Sequence, residues 1–251
     1  MQWTQTFGDE FNGTSVDTTK WNGLYGGGLP WCVGCQQTYA NLAEGGGVLQ
    51  ISPSGGINSY GKFQQRYGYF SARVKNPTSM PFEFAGLWAF AVAHGPPPPL
   101  PCNEGFEEYD MDDAGTNIPG TSTFATVLSF HDYCYNGPLV NGGDGTIAFP
   151  NNGTDLSAGY HVYGWQWRND GSAHGAFQGF MDGHPIGAPM PTDPRSMQWD
   201  SGIYLLAGLS SKPPRSGPLS IDWIHAYQQT AATSTPTTDA APTPTATSGS
   251  H

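Results

Sequence analysis

His161-Val162-Tyr163-Gly164-Trp165-Gln166-Trp167 carries an aromatic ring at every second position. In an extended chain successive side chains point to opposite faces, so His161, Tyr163, Trp165 and Trp167 share one face and Val162, Gly164 and Gln166 the other. The stretch reads as a β-strand, with Trp165 and Trp167 in the core. Working outward, strand candidates recur at short intervals: Val48 to Ile51, Tyr67 to Val74, Ala85 to Val92, Phe106 to Met111, Thr126 to Phe130, Phe177 to Met181, Tyr204 to Leu206 and Leu219 to Tyr227. Gly45-Gly46-Gly47, Asn169-Asp170-Gly171 and Met181-Asp182-Gly183 supply the positive-φ residues that hairpin turns need. No stretch supports a long amphipathic helix. The expected architecture is all-β, two antiparallel sheets packed face to face.

Composition agrees with many short strands: 35 glycines, 13% aromatic residues and only 12% charged residues in 251. Residues 1–228 show no compositional break and read as one domain. From 229 to 251 the chain is a Thr/Pro/Ala/Ser-rich tail with almost nothing to bury, expected to stay extended and disordered. Linkers of this kind commonly tether extracellular enzymes to a second module, so a secreted protein is expected, although no signal peptide follows Met1. Asn12-Gly13-Thr14 and Asn152-Gly153-Thr154 are glycosylation sequons. A net charge of −11 with nine Lys and Arg argues against nucleic acid, which is bound through clustered cations, and against anionic membrane surfaces. A monomer is expected. Four cysteines permit up to two disulfides. Cys32-Val33-Gly34-Cys35 has redox or zinc spacing, but Cys102 and Cys134 form no second close pair.

Phe106-Glu107-Glu108-Tyr109-Asp110-Met111-Asp112-Asp113 is the anomaly a functional reading must explain. In a regular strand Glu108, Asp110 and Asp112 fall on one face, opposite Tyr109 and Met111. Carboxylates crowded this way repel, which raises at least one pKa. One protonated acid beside one ionised carboxylate is the pair that glycoside hydrolysis uses. A hard-cation site and a solvated strand edge are the alternatives, and spacing alone leaves all three open.

The ordered set Phe7-Gly8-Asp9-Glu10-Phe11-Asn12-Gly13, Tyr67-Gly68-Tyr69-Phe70-Ser71-Ala72-Arg73-Val74-Lys75, Gly86-Leu87-Trp88, the acidic strand, Tyr160-His161-Val162-Tyr163-Gly164-Trp165, Phe180-Met181-Asp182-Gly183 and Ile221-Asp222-Trp223-Ile224-His225-Ala226-Tyr227-Gln228 resembles glycoside hydrolase family 16, especially its laminarinase branch. The resemblance covers nearly all of residues 3–228. It implies a β-jelly-roll sandwich of the concanavalin A-like lectin and glucanase type, with an open substrate cleft across its concave sheet. It also implies retaining hydrolysis of β-linked glycans, above all endo-cleavage of β-1,3-glucan, with a polysaccharide as partner and no cofactor for catalysis. In the family signature the first Glu is the nucleophile, the Asp assists it, and a Glu one or two residues further is the acid/base. Carried over, Glu108 is the nucleophile and Asp110 the assisting acid. The third position departs, because Asp112 fills the shorter spacing and Asp113 the longer, and neither is Glu. Laminarinase-like members use the longer spacing, with a bulge that returns the third acid to the cleft, so Asp113 is the expected acid/base.

The same resemblance implies substrate contacts at Gln37, Trp88 and His131, and a structural calcium held near Glu10, Gly47 and Asp222; Trp31, before the cysteine pair in a glycine-rich loop, reads as a platform at the cleft rim. Gly34 and Cys35 stand where the family usually carries an Asn and a Glu. Adjacency suggests a Cys102–Cys134 disulfide beside the cleft. A different class is also open: a lectin-like sandwich that keeps Trp31 and Trp88 but tolerates loss of the acid Glu. Other β-glycans, such as mixed-linkage glucan or galactan, are open too.

Overall fold

The computed structural model describes residues 2–25, 38–77, 85–91, 107–117, 124–132, 147–149, 156–171, 175–191, 201–209 and 217–230. Fifteen strands run through them: β1 (Gln2–Asp9), β2 (Asn22–Tyr25), β3 (Leu42–Gly45), β4 (Val48–Ile51), β5 (Gly55–Asn58), β6 (Gly68–Lys75), β7 (Ala85–Ala91), β8 (Glu107–Asn117), β9 (Phe124–Asp132), β10 (Ile147–Phe149), β11 (His161–Arg168), β12 (Ala176–Met181), β13 (His184–Pro191), β14 (Ile203–Leu209) and β15 (Leu219–Thr230).

They form two sheets. One has eight strands, ordered β13-β12-β11-β6-β15-β4-β3 with β1 also paired to β15. The other has seven, ordered β10-β9-β8-β7-β14-β5-β2. Neighbouring strands pair antiparallel throughout, for instance Trp165 with Phe70 on β6 and with Gly179 on β12.

The alternation of β11 does what it promises. Tyr163, Trp165 and Trp167 are buried and belong to the core cluster between the sheets. Against them, from the seven-stranded sheet, come Leu87, Ala89, Tyr109, Met111, Leu205 and Ala207. The Tyr109 ring stacks on Phe177 of β12 at 3.6 Å between centroids, and Trp167 stacks on the same Phe177 at 5.1 Å. One phenyl ring thus joins the two layers.

Two of the expected turns close hairpins. Gly46 and Gly47 take φ of 63° and 78° between β3 and β4, and Asp182 and Gly183 take 49° and 79° between β12 and β13, the paired positive φ that a tight hairpin needs. Asp182 also accepts a hydrogen bond from the Val162 N–H and meets His161 Nδ1 at 2.8 Å. β15 runs through Gln229 and Thr230, which pair with Trp3 and Gln2, two residues past the boundary expected at 228. Residues 231–251, all four cysteines and Asn152 lie outside the described residues.

Candidate active site

Strand β8 is fixed from its inner side. Tyr109 and Met111 are 0% and 3% exposed in the core, so the intervening Asp110 turns to the outer face of the seven-stranded sheet. Cross-strand pairs stand on the same face, so register extends this assignment. Trp88 pairs with Asp110 and Phe90 with Glu108, while Ala89 pairs with the core residue Tyr109.

Beyond Asp110 the regular alternation would give Asp112 the outer position. The ladder does not stay regular. The register with β7 shifts between Leu87 and Trp88, so that Leu87 pairs with Asp112 and Gly86 with Asp113. On the other side Asp110 pairs with Ser129 and Asp113 with Val127, leaving Met111 and Asp112 opposite the single residue Leu128. This is a β-bulge, two residues against one, and it changes the parity of everything after it. Asp113 therefore joins the register row set of Trp88 and Phe90, whereas Asp112 joins that of Leu87 and Ala89. The expected bulge is present at the expected place, and the simple strand reading that grouped Glu108, Asp110 and Asp112 is corrected by it.

The outer face can now be read across strands as rows. His131, Glu108, Phe90 and Tyr204 make one, so His131 stands across from Glu108. Ser129, Asp110, Trp88, Leu206, Asn58 and Asn22 make the next. Val127, Asp113, Gly86, Gly208 and Gly56 make the third. The three acids thus occupy successive rows of one face.

Trp88, Phe90, Tyr204 and Leu206 form a second apolar cluster on this face, with Tyr60 packed against it. Phe90 meets Trp88 and Tyr204 edge-on, at 6.4 and 5.8 Å. Trp88 is 7% exposed. Its indole nitrogen and the Nδ2 of Asn58 have no hydrogen-bond partner among the described residues. The Asn58 side-chain oxygen accepts from Asn22 Nδ2 at 3.1 Å and from the Tyr60 N–H at 3.2 Å. Sequence reasoning missed Phe90, Tyr204, Asn58 and Tyr60; the first of these was within reach, two positions on from Trp88 in the same alternation. Trp31 and Gln37 lie outside the described residues.

The three positions expected to hold calcium lie on the other sheet and its turns. Asp222 is ion-paired with Arg73, Glu10 Oε1 meets His225 Nε2, and Gly47 sits in the β3–β4 turn. The Asp222 carboxylate is already matched by the Arg73 guanidinium, and no group of three His, Cys, Asp or Glu able to hold a metal occurs among the described residues. This donor set does not fit a preformed cation cage, and no chemistry is derived through one.

The fold defines a class: a two-sheet antiparallel jelly-roll sandwich. Among solved structures the chain is similar to the laminarinase from Flavobacterium sp. UMI-01, at 22% identity and a TM-score of 0.67, covering 90% of this chain and 100% of that one. It is also similar to the laminarinase catalytic domain from Thermotoga maritima MSB8, at 19% identity and a TM-score of 0.68, covering 92% and 100%. Porphyranase B from Zobellia galactanivorans matches at 18% identity and a TM-score of 0.66, covering 90% and 93%. At these identities the likeness is one of fold. No family model matches the sequence, and no curated protein matches it.

Proposed function

We propose that this chain is an endo-acting β-glycan hydrolase that cleaves β-1,3-glucan with retention. One observation carries the reading: the bulge at Met111 and Asp112 brings Glu108, Asp110 and Asp113 onto one face of one sheet, on successive rows. A structural bulge would have no reason to gather acids, whereas double displacement needs two carboxyl groups aimed at one glycosidic bond. The similar laminarinase folds support a β-1,3-glucan substrate, and the similar porphyranase keeps other β-glycans in view.

In this mechanism Glu108 attacks the anomeric carbon and Asp113 protonates the leaving oxygen. Water, deprotonated by Asp113, then releases the glycosyl-enzyme. Asp110, between them and 6% exposed, is the neighbour that orients the nucleophile. A retaining pair works at about 5 to 5.5 Å between carboxyl groups, and an Asp in place of the longer Glu reaches one methylene less far. That specific shortfall favours one second reading, a lectin-like sandwich that binds glycan without cutting it.

A reducing-sugar assay on a panel of soluble β-glucans, with wild type beside Glu108→Gln, separates the two. Turnover abolished by the substitution supports the hydrolase; binding by both proteins with turnover by neither rejects it. Product anomers followed by NMR test retention. Export is part of the proposal, on the strength of the Thr/Pro-rich tail alone.

A further inference from the structure

The outer face of the eight-stranded sheet, on the far side of the molecule from the acids, carries an aromatic stripe that the proposed chemistry does not use. Trp3 of β1 is 40% exposed, among the most exposed large apolar side chains described. Its ring lies 6.2 Å from Tyr69 of β6, and Tyr69 lies 5.8 Å from Phe180 of β12 and 6.3 Å from Tyr227 of β15. The stripe crosses β1, β15, β6, β11 and β12, four inter-strand steps of about 4.8 Å, so it is roughly 19 Å long.

Gly164 makes the stripe continuous. It stands on β11 between Ser71 and Phe180, and a Cβ there would come within 2.7 Å of the Tyr69 hydroxyl. Gly164 is absent from the positive-φ positions, so no backbone strain calls for glycine. What glycine provides is room for Tyr69 to lie across β11 towards Phe180.

Charge then narrows the ligand. Gln5, Tyr227, Tyr69, Gln166 and Gln178 make one register row of this face. Gly8, His225, Ser71, Gly164 and Phe180 make the next. Neither row holds Asp, Glu, Lys or Arg, in a chain whose net charge is −11. Around them Arg73 is matched by Asp222, Asp182 meets His161, and Glu10 meets His225, with exposed Arg168 at one end. Burial raises the hydroxyl pKa of Tyr69 and of Tyr227, so both stay neutral donors. A nucleic acid stacking on rings would need cations beside them. A second copy of this chain would bring another −11. A neutral ligand with flat apolar faces and many hydroxyls fits rings interleaved with amides.

We propose that this stripe is a second, non-catalytic glycan-binding surface that holds a neutral polysaccharide chain while the acid-bearing face works on it. The proposal rests on the glycan substrate argued above. Its benefit is effective concentration: a polymer held at one site is presented to the other without a new encounter.

The test uses insoluble linear β-1,3-glucan particles in a pelleting assay, with the full chain carrying Glu108→Gln so that nothing is cut. Trp3→Ala with Tyr69→Ala should pellet about tenfold less protein at subsaturating glucan, since each lost ring contact is worth on the order of half to one decade in affinity. Trp3→Tyr, which keeps a ring, should restore most of the binding. With Glu108 intact, the double variant should cut soluble short oligosaccharides at the wild-type rate, and its unfolding midpoint serves as the check on folding. Unchanged pelleting by the folded double variant overturns the proposal, as does a wild-type dimer in light scattering that the variant abolishes. Should wild type bind through the stripe yet cut no glucan, the surface stands and the hydrolase reading fails. Should wild type cut glucan while pelleting ignores the stripe, the reverse holds.

Discussion

Asp113 stands directly across from Gly86, whereas its neighbour Asp112 stands across from Leu87, a core residue. The register gives the two adjacent acids different faces, so they should respond differently to the same change. Asp113→Asn should lower kcat by about 10² to 10⁴-fold, the usual worth of a general acid, with Asp112→Asn far milder. The converse change is more telling. Asp113→Glu returns the missing methylene and should raise kcat about tenfold or more, because misplacement on the order of 1 Å costs ~10²-fold. Steady-state kinetics on soluble β-1,3-glucan decide it; an active Asp113→Asn with a dead Asp112→Asn would mean the bulge is misassigned.

Phe177 holds the acidic strand from behind. It is 1% exposed, stacked between Tyr109 and Trp167, and it belongs to the opposite sheet. Removing it leaves a cavity under β8 that rigid neighbouring strands cannot fill. Phe177→Ala should therefore cost about 3 to 5 kcal/mol, which lowers the thermal midpoint by roughly 6 to 20 °C for a domain of this size. Scanning calorimetry reads the shift; a change under about 1 kcal/mol, the range of ordinary surface substitutions, would place Phe177 outside the load path between the sheets.

What the sequence disclosed follows from which residues meet the core. β11 and β6 alternate because one face of each is buried in aromatic contacts, and alternation is visible in the letters. β1 escaped notice because Gln2 through Thr6 are all exposed, so no apolar period marks it. β13 contains Pro185, Pro189 and Pro191, which argue against a strand until it is seen at the sheet edge, where a missing N–H is tolerated. The bulge in β8 was legible only through family resemblance, since plain alternation assigns Asp112 to the face that the register gives Asp113. For the positions expected near calcium, the letters for Glu10 and Asp222 do not reveal that His225 and Arg73 face them.

That pairing can be tested through stability. With Arg73 on Asp222 and His225 on Glu10, chelation should leave the unfolding midpoint unchanged, and added calcium should not raise it. A ligand that binds only the folded state stabilises by mass action, so any resident calcium would show itself as a midpoint rising with its concentration. Differential scanning fluorimetry in excess chelator and then in millimolar calcium is the measurement. A rise with calcium that Asp222→Asn removes would restore the cation site.

Glu44 offers a pH dependence with a definite sign. It lies half-buried at the end of β3, where one oxygen accepts the Gly13 N–H at 2.8 Å and the other is buried with no partner among the described residues. Burial raises its pKa above 4.5, with Asp9 and Asp17 adding to the rise and the Gly13 hydrogen bond opposing it. A raised folded-state pKa means the native protein holds this proton more tightly than the unfolded chain does. Its contribution is therefore fully present below pH 4.5, the ordinary value, and is lost as pH rises through the folded value. Glu44→Gln keeps an acceptor for Gly13 and removes the desolvated charge. At pH 7 it should equal or exceed wild type by less than about 1 kcal/mol, the scale of a solvent-screened group, and below pH 4 the difference should shrink. Urea midpoints at pH 7 and pH 4 check this. A variant clearly less stable than wild type at pH 7 would mean that the charged carboxylate itself holds the Asn12-Gly13 turn against β3.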